Sequence, residues 1–199
     1  GIKYPTPEMT LNLQKAAFFR GMQLMGIHSY NDAAEMFALS VENGGYNGPL
    51  ELLARFWMAE ACYRSGRTDK AMEINASLIL NPRFRTTREY STALFNQGYC
   101  YFDSQDYAEA RKYFSQFLDL HYSDMDMILE ARLRLADTYF MMRDYASAAK
   151  IYEEVSIMNY RSSAIVYAAY YGALSYGLMS DYGKKIKALE GILDEHGDT

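Results

Sequence analysis

The residue types that carry chemistry are sparse in this chain and poorly grouped. Three histidines, His28, His121 and His196, fall in turns or at the C-terminus. A metal centre needs clustered ligands at regular spacing, and the sequence has no His–Cys–Asp grouping. The histidines therefore read as surface residues, and no metal site is expected. Cys62 and Cys100 sit at inward positions of apolar-patterned segments, where a thiol acts as a small filler. Two cysteines build no disulfide framework. The acidic pair Glu153–Glu154 lies on a solvated helix face with no partner acid opposite. Phosphate-cradling, nucleophile-elbow and zinc-protease motifs are absent. "NGGYNG" at 43–48 is glycine-rich but follows no strand, so it reads as a linker. The chain is expected to be no enzyme and to use no cofactor.

Bulk properties narrow the remaining classes. With 199 residues, 50% of them hydrophobic, the chain can bury a real core. A net charge of −5 excludes the basic face of a nucleic-acid binder. Arg83, Arg85 and Arg88 make one local basic stretch, which reads as a solvated loop. No apolar run approaches the ~18 residues that span a bilayer. Aromatic residues form 15% of the chain and include 19 tyrosines, a surplus that needs a structural reason.

That reason is a repeat. Tyr107, Ala110 and Phe114 in "SQDYAEARKYF" recur as Tyr145, Ala148 and Tyr152, and earlier as Tyr30, Ala33 and Phe37. Degraded copies run Thr68, Ala71, Asn75 and Tyr182, Lys185, Leu189. The first members stand at 30, 68, 107, 145 and 182, so the step is 37 to 39 residues. Twelve residues before each middle member lies another small residue: Gly21, Ala59, Gly98, Ala136 and Ala173. Each small residue sits in a segment with helical spacing of large apolar residues. The pattern predicts antiparallel helix pairs in which two small residues meet at the crossing. The first aromatic plugs the turn, and the third position packs between neighbouring pairs. First helices are expected near 11–26, 49–65, 88–103, 126–141 and 162–178. Second helices are expected near 30–42, 68–79, 107–120, 145–158 and 182–194. Asn31, Asp106, Asp144 and Asp181 are candidate N-caps of the second helices.

These residues resemble the tetratricopeptide repeat. Met58–Ala59, Gln97–Gly98–Tyr101 and Leu135–Ala136–Tyr139 match its first helix. Ala33–Phe37, Ala110–Phe114 and Ala148–Tyr152 match its second. The resemblance runs from Leu11 to Asp194. It implies an all-α, right-handed α-solenoid of about five helix pairs, ten helices in one domain over 1–199. The step exceeds the usual period of about 34 by roughly four residues, and Pro82 is the one closing proline. Stretched repeats of this kind are similar to those of bacterial cell-envelope proteins, TolA-binding-like and Bacteroides-type. That resemblance implies a periplasmic or envelope location, with the cytoplasm as the alternative.

Function is expected on the face that the repeat does not dictate. A second stripe on the first helices carries Phe18, Met22 and Met25; Phe56, Glu60 and Tyr63; Phe95, Tyr99 and Phe102; Leu133, Asp137 and Phe140; Tyr170, Leu174 and Gly177. Part of any such stripe is core, while contiguous exposed aromatics mark an interaction site. The expected groove residues are Phe56, Glu60, Tyr63, Arg64, Phe95, Tyr99, Phe102, Asp137, Phe140 and Tyr170, with Asp103 at the edge. The basic carboxylate clamp of chaperone-binding family members is not matched at these positions. The resulting expectation is a scaffold that holds a peptide or helix of a cell-envelope partner in a concave aromatic groove. A ligand-capture module stacking glycan rings on the same scaffold is the alternative. Ile186, Leu189, Ile192 and Leu193 exceed what one neighbouring helix needs, so a longer repeat array or self-association through this end is also expected.

Overall fold

The computed structural model describes residues 6–45, 48–120, 124–158 and 163–196, with side chains to 193. His121 and the side chain of His196 lie outside them. Among the described residues ten α-helices follow in order: α1 Pro7–Gly26, α2 Tyr30–Glu42, α3 Pro49–Arg64, α4 Thr68–Ile79, α5 Glu89–Asp103, α6 Tyr107–Leu118, α7 Met125–Met141, α8 Tyr145–Ser156, α9 Ser163–Leu178 and α10 Tyr182–His196. No strand occurs among the described residues. The helices fall into two compact units, Gly1–Cys100 and Tyr101–Thr199, divided within α5. In the first unit α1 packs on α2, α2 on α3 and α3 on α4; in the second, α6 to α10 pack successively.

One backbone device reverses the chain within every helix pair. His28, Gly66, Gln105, Arg143 and Ser180 all have φ between 61° and 80°, and each stands two residues before the second helix. The following amide reaches back to the first helix in each case: Ser29 to Leu24, Arg67 to Cys62, Asp106 to Tyr101, Asp144 to Tyr139 and Asp181 to Tyr176, at 2.8 to 2.9 Å. The left-handed residue and this long-range bond are the two halves of a Schellman turn, which satisfies carbonyls the helix end would leave bare. Only Gly66 adopts this conformation without a Cβ penalty.

The caps follow. Asp106 accepts from the Glu109 amide at 3.2 Å, Asp144 from Ser147 at 3.1 Å and Asp181 from Lys184 at 3.2 Å. Asn31 does not cap; the N-cap of α2 is Ser29, because α2 already begins at Tyr30. Thr6 and Asp124 cap α1 and α7 in the same manner as the other aspartates.

Packing explains the repeat. Ala33, Ala71, Ala110 and Ala148 are completely buried, as are Phe37, Phe114 and Tyr152 one turn on. At Gly21 the close partner is not the small residue Ala33. A Cβ there would lie 2.6 Å from the Phe37 ring, so the glycine makes room for the aromatic. The first aromatics do plug the turns: Tyr107 meets Phe102 edge-on at 5.5 Å and Tyr145 meets Phe140 at 5.3 Å. Tyr152 packs on Tyr167 and Tyr171 of the next pair, at 6.4 and 6.0 Å. Cys62 and Cys100 are both buried and neither is in a disulfide, and burial pushes the Cys62 thiol up.

The basic stretch is more than a loop. Residues Phe84–Thr86 form a 3-10 turn that drives Phe84 into the core, 1% exposed, while Arg83, Arg85 and Arg88 stay outside. Arg85 Nε donates to the Ile79 carbonyl at 3.1 Å, which ties the turn to the end of α4.

Candidate binding surface

The first-helix stripe is a mixed surface. In residues 1–100, Phe56 is buried against Phe84, with ring centroids 6.3 Å apart. The 3-10 turn covers it, so Phe56 is a core residue and not a groove contact. Its neighbours on the stripe stay reachable. Tyr63, Phe95 and Tyr99 are partly exposed, and Phe95 meets Tyr99 edge-on at 5.0 Å.

Glu60 and Arg64 build a polar ladder beside these rings. Arg64 Nε donates to Glu60 Oε1 at 2.6 Å, and Asn96 of α5 donates to Glu60 Oε2 at 2.9 Å. The carboxylate thus ties two successive first helices together. Arg64 also lies 5.7 Å over the Tyr30 ring, and its hydrogen bonds to Glu60 and Tyr30 hold its pKa above the ordinary value. Half of the Arg64 side chain remains open to water.

In residues 101–199, Asp137 is likewise a buried group rather than a rim contact, 6% exposed. Its Oδ1 accepts from Tyr152 at 2.5 Å and from Tyr167 at 2.9 Å, and its Oδ2 accepts from Arg134 at 2.5 Å. Arg134 in turn donates to Glu130 at 2.9 Å. A carboxylate without donors could not be buried here, and three donors surround this one. Burial still pushes its pKa up, against the downward pull of Tyr152, Arg134 and Tyr167. The Tyr152 and Tyr167 phenols are raised, first by burial and then by the same carboxylate.

Above this network lies a ring cluster. Tyr171 meets Tyr167 at 4.4 Å, Tyr170 at 5.4 Å and Phe140 at 5.8 Å. Phe102 and Phe140 are partly exposed, and Tyr170 is open at 52%. The sequence stripe named Phe140 and Tyr170 but missed Tyr167, Tyr171 and Arg134. Those three stand on the adjacent face, each three residues before a stripe member (Tyr170, Leu174 and Asp137 for Tyr167, Tyr171 and Arg134), a neighbourhood that helical spacing alone could have reached.

A second concavity was not anticipated. Helices α8, α9 and α10 enclose a cavity of about 360 Å³ floored by Ala169, Gly172 and Ala173. At one end Tyr176 donates to Glu153 at 2.9 Å, and burial and that bond push its phenol up to about 12. Among the described residues no group of three His, Cys, Asp or Glu could hold a metal ion, and no helix is long and apolar enough to cross a membrane.

Two tetratricopeptide repeat profiles match the chain, one over residues 20–83 and one over 89–156. Solved structures agree on the fold. The MamA protein superposes with a TM-score of 0.73 at 13% identity, over 93% of this chain and 92% of that one. YrrB, described as a TPR protein with an unusual peptide-binding site, gives 0.70 at 13% identity, over 92% and 86%. The nearly identical TPR-like repeats of a Podosopora anserina putative kinesin light chain give 0.69 at 13% identity, over 93% and 96%. No curated protein sequence matches. Ten helices in paired array, one turn device repeated five times and two profile matches agree: the chain belongs to the tetratricopeptide repeat family.

Proposed function

We propose that the chain is a non-enzymatic interaction scaffold that binds a peptide or helix on the exposed face of its first helices. The observation that carries this reading is the Arg64–Glu60–Asn96 ladder beside the Phe95–Tyr99 pair. A half-open guanidinium next to partly exposed rings offers a peptide both hydrogen-bond donors and apolar area, the combination that dominates interface energetics. Tyr63, Arg64 and Tyr99 are the proposed contacts in one unit, and Phe102, Phe140 and Tyr170 in the other. Glu60 and Phe95 hold these contacts in place. The peptide-binding site in the description of YrrB supports the reading by analogy of fold. A cell-envelope partner rests on the stretched repeat period alone.

The test is a random peptide display selected on wild type, with the winners measured on a Tyr99→Ala/Phe140→Ala double variant. The expected result is a consensus rich in apolar residues whose affinity drops at least about tenfold, or 1.4 kcal/mol, on the variant. Winners that bind both proteins equally would remove the proposed surface.

A further inference from the structure

The cavity between α8, α9 and α10 arises from a local departure in the repeat. Four residues before the small residue of the first helix, the second, third and fourth repeats carry Arg55, Leu94 and Arg132, while the fifth carries Ala169. One residue before it they carry Met58, Gln97 and Leu135, while the fifth carries Gly172. The side chains that occupy these positions in α3, α5 and α7 are missing from α9; α1 shares the alanine, as Ala17, but carries Arg20 at the second position. The facing wall is thinned as well: Gly191 of α10 lines the cavity, and a Cβ there would meet no atom within 4 Å. The volume of about 360 Å³ falls at the lower end of small-molecule sites.

The two ends of this slot differ in chemistry. Ile157, Ile165 and Ile192 line one end. Glu153, Tyr176, Lys184 and Lys187 line the other. At the polar end Glu153 is engaged by the Tyr176 hydroxyl, and Lys184 is 3.5 Å from Asp181, which stands outside the slot. Lys187 forms no ion pair among the described residues, so its ammonium is left to meet an anion. Between the ends, Ala169, Gly172, Ala173 and Ala188 offer no polar side chain, and the Ser156 hydroxyl, which also lines the slot, already donates to the Glu153 carbonyl at 2.9 Å. A peptide backbone laid there would bring amides onto a floor with no partner for them, whereas an alkyl chain needs none.

We propose that this slot binds an aliphatic carboxylate, its chain along Ala169, Gly172 and Ala188 and its head group at Lys187. The site is separate from the peptide surface and does not depend on it, since none of its residues lies on that surface. Tyr176 caps the chain at the head end and keeps Glu153 turned toward itself.

The experiment titrates decanoate into the full chain by calorimetry below its micelle concentration, with decanol as the uncharged chain of equal length. Gly191→Leu fills the slot and replaces a helical glycine by a stronger helix former, so its melting temperature is expected at or above wild type. Lys187→Glu reverses the head-group charge. The proposal predicts saturable decanoate binding that weakens at least about tenfold in each variant, and a similar preference for decanoate over decanol in wild type. It also predicts decanol affinity unchanged by Lys187→Glu. Absent saturation, or decanoate affinity unaffected by Gly191→Leu in a folded variant, would overturn the site. Equal affinity for decanoate and decanol would overturn the assigned head group.

Discussion

The Tyr152 hydroxyl donates to Asp137 Oδ1 at 2.5 Å, joining the second helix of one repeat to the first helix of the same repeat. Tyr152 is wholly buried, and it occupies the position where Phe37 and Phe114 stand in other copies. The hydroxyl is therefore an addition to the packing code, placed to satisfy a carboxylate that would otherwise be buried short of donors. Tyr152→Phe keeps the ring and removes that donor. A hydrogen bond to a charged group contributes about 1.5–3 kcal/mol, so urea denaturation of Tyr152→Phe is expected to show a loss of about 2 kcal/mol.

The same carboxylate gives a pH signature. Folding raises the Asp137 pKa, chiefly through burial. Its contribution to stability is then fully present below the unfolded value, about 3.9, and declines as pH rises through the higher folded value. Asp137→Asn lacks this dependence. The stability advantage of wild type over the variant is expected to shrink as pH rises from below about 3.9 through the raised folded value and then stay level. An advantage that grows over that window would show that the three donors outweigh burial.

The left-handed turns predict opposite effects of glycine and alanine. Arg143 is exposed and holds φ at 63°, a conformation that costs an L-residue roughly 1–2 kcal/mol. Glycine escapes that cost and gives back about 0.5–1 kcal/mol in chain entropy. Arg143→Gly is expected to stabilise by up to about 1 kcal/mol, and Gly66→Ala to destabilise by about 1 kcal/mol. Thermal melts of both variants check the pair.

Asn75 stands where three other copies place an aromatic ring, and it is 2% exposed with its Oδ1 unpartnered among the described atoms. A buried oxygen left unpaired costs about 1–3 kcal/mol. Asn75→Leu is expected to raise stability by about 1 kcal/mol, read from the urea midpoint at constant m-value. A loss of similar size would mean that the amide carries more of the local packing than its oxygen costs.

The helices were legible because one spacing repeats five times. All five second helices begin at Tyr30, Thr68, Tyr107, Tyr145 and Tyr182, where the periodic pattern puts them. The surface was less legible, since periodicity gives a face but not what covers it. Phe56 looked like its stripe-mates Phe95 and Tyr170, yet a 3-10 turn in the α4–α5 connection lays Phe84 over it. Asp137 looked like Glu60, which holds the same repeat position two copies earlier, yet Tyr152 and Tyr167 close around it. Both outcomes depend on side chains from neighbouring elements, which no single-helix pattern contains. The slot at Ala169 and Gly172 was missed because small residues there read as close packing, while Gly191 opposite leaves the space empty.

The central claim is that a peptide is held by the first helices of the repeats, and hydrogen–deuterium exchange on a complex with a display-selected peptide tests it most directly. The account predicts slowed exchange in α3, α5, α7 and α9, strongest around Tyr63–Arg64, Tyr99 and Phe140, with α4, α6, α8 and α10 unchanged. Protection confined to the second helices, with those segments unaffected, would contradict it.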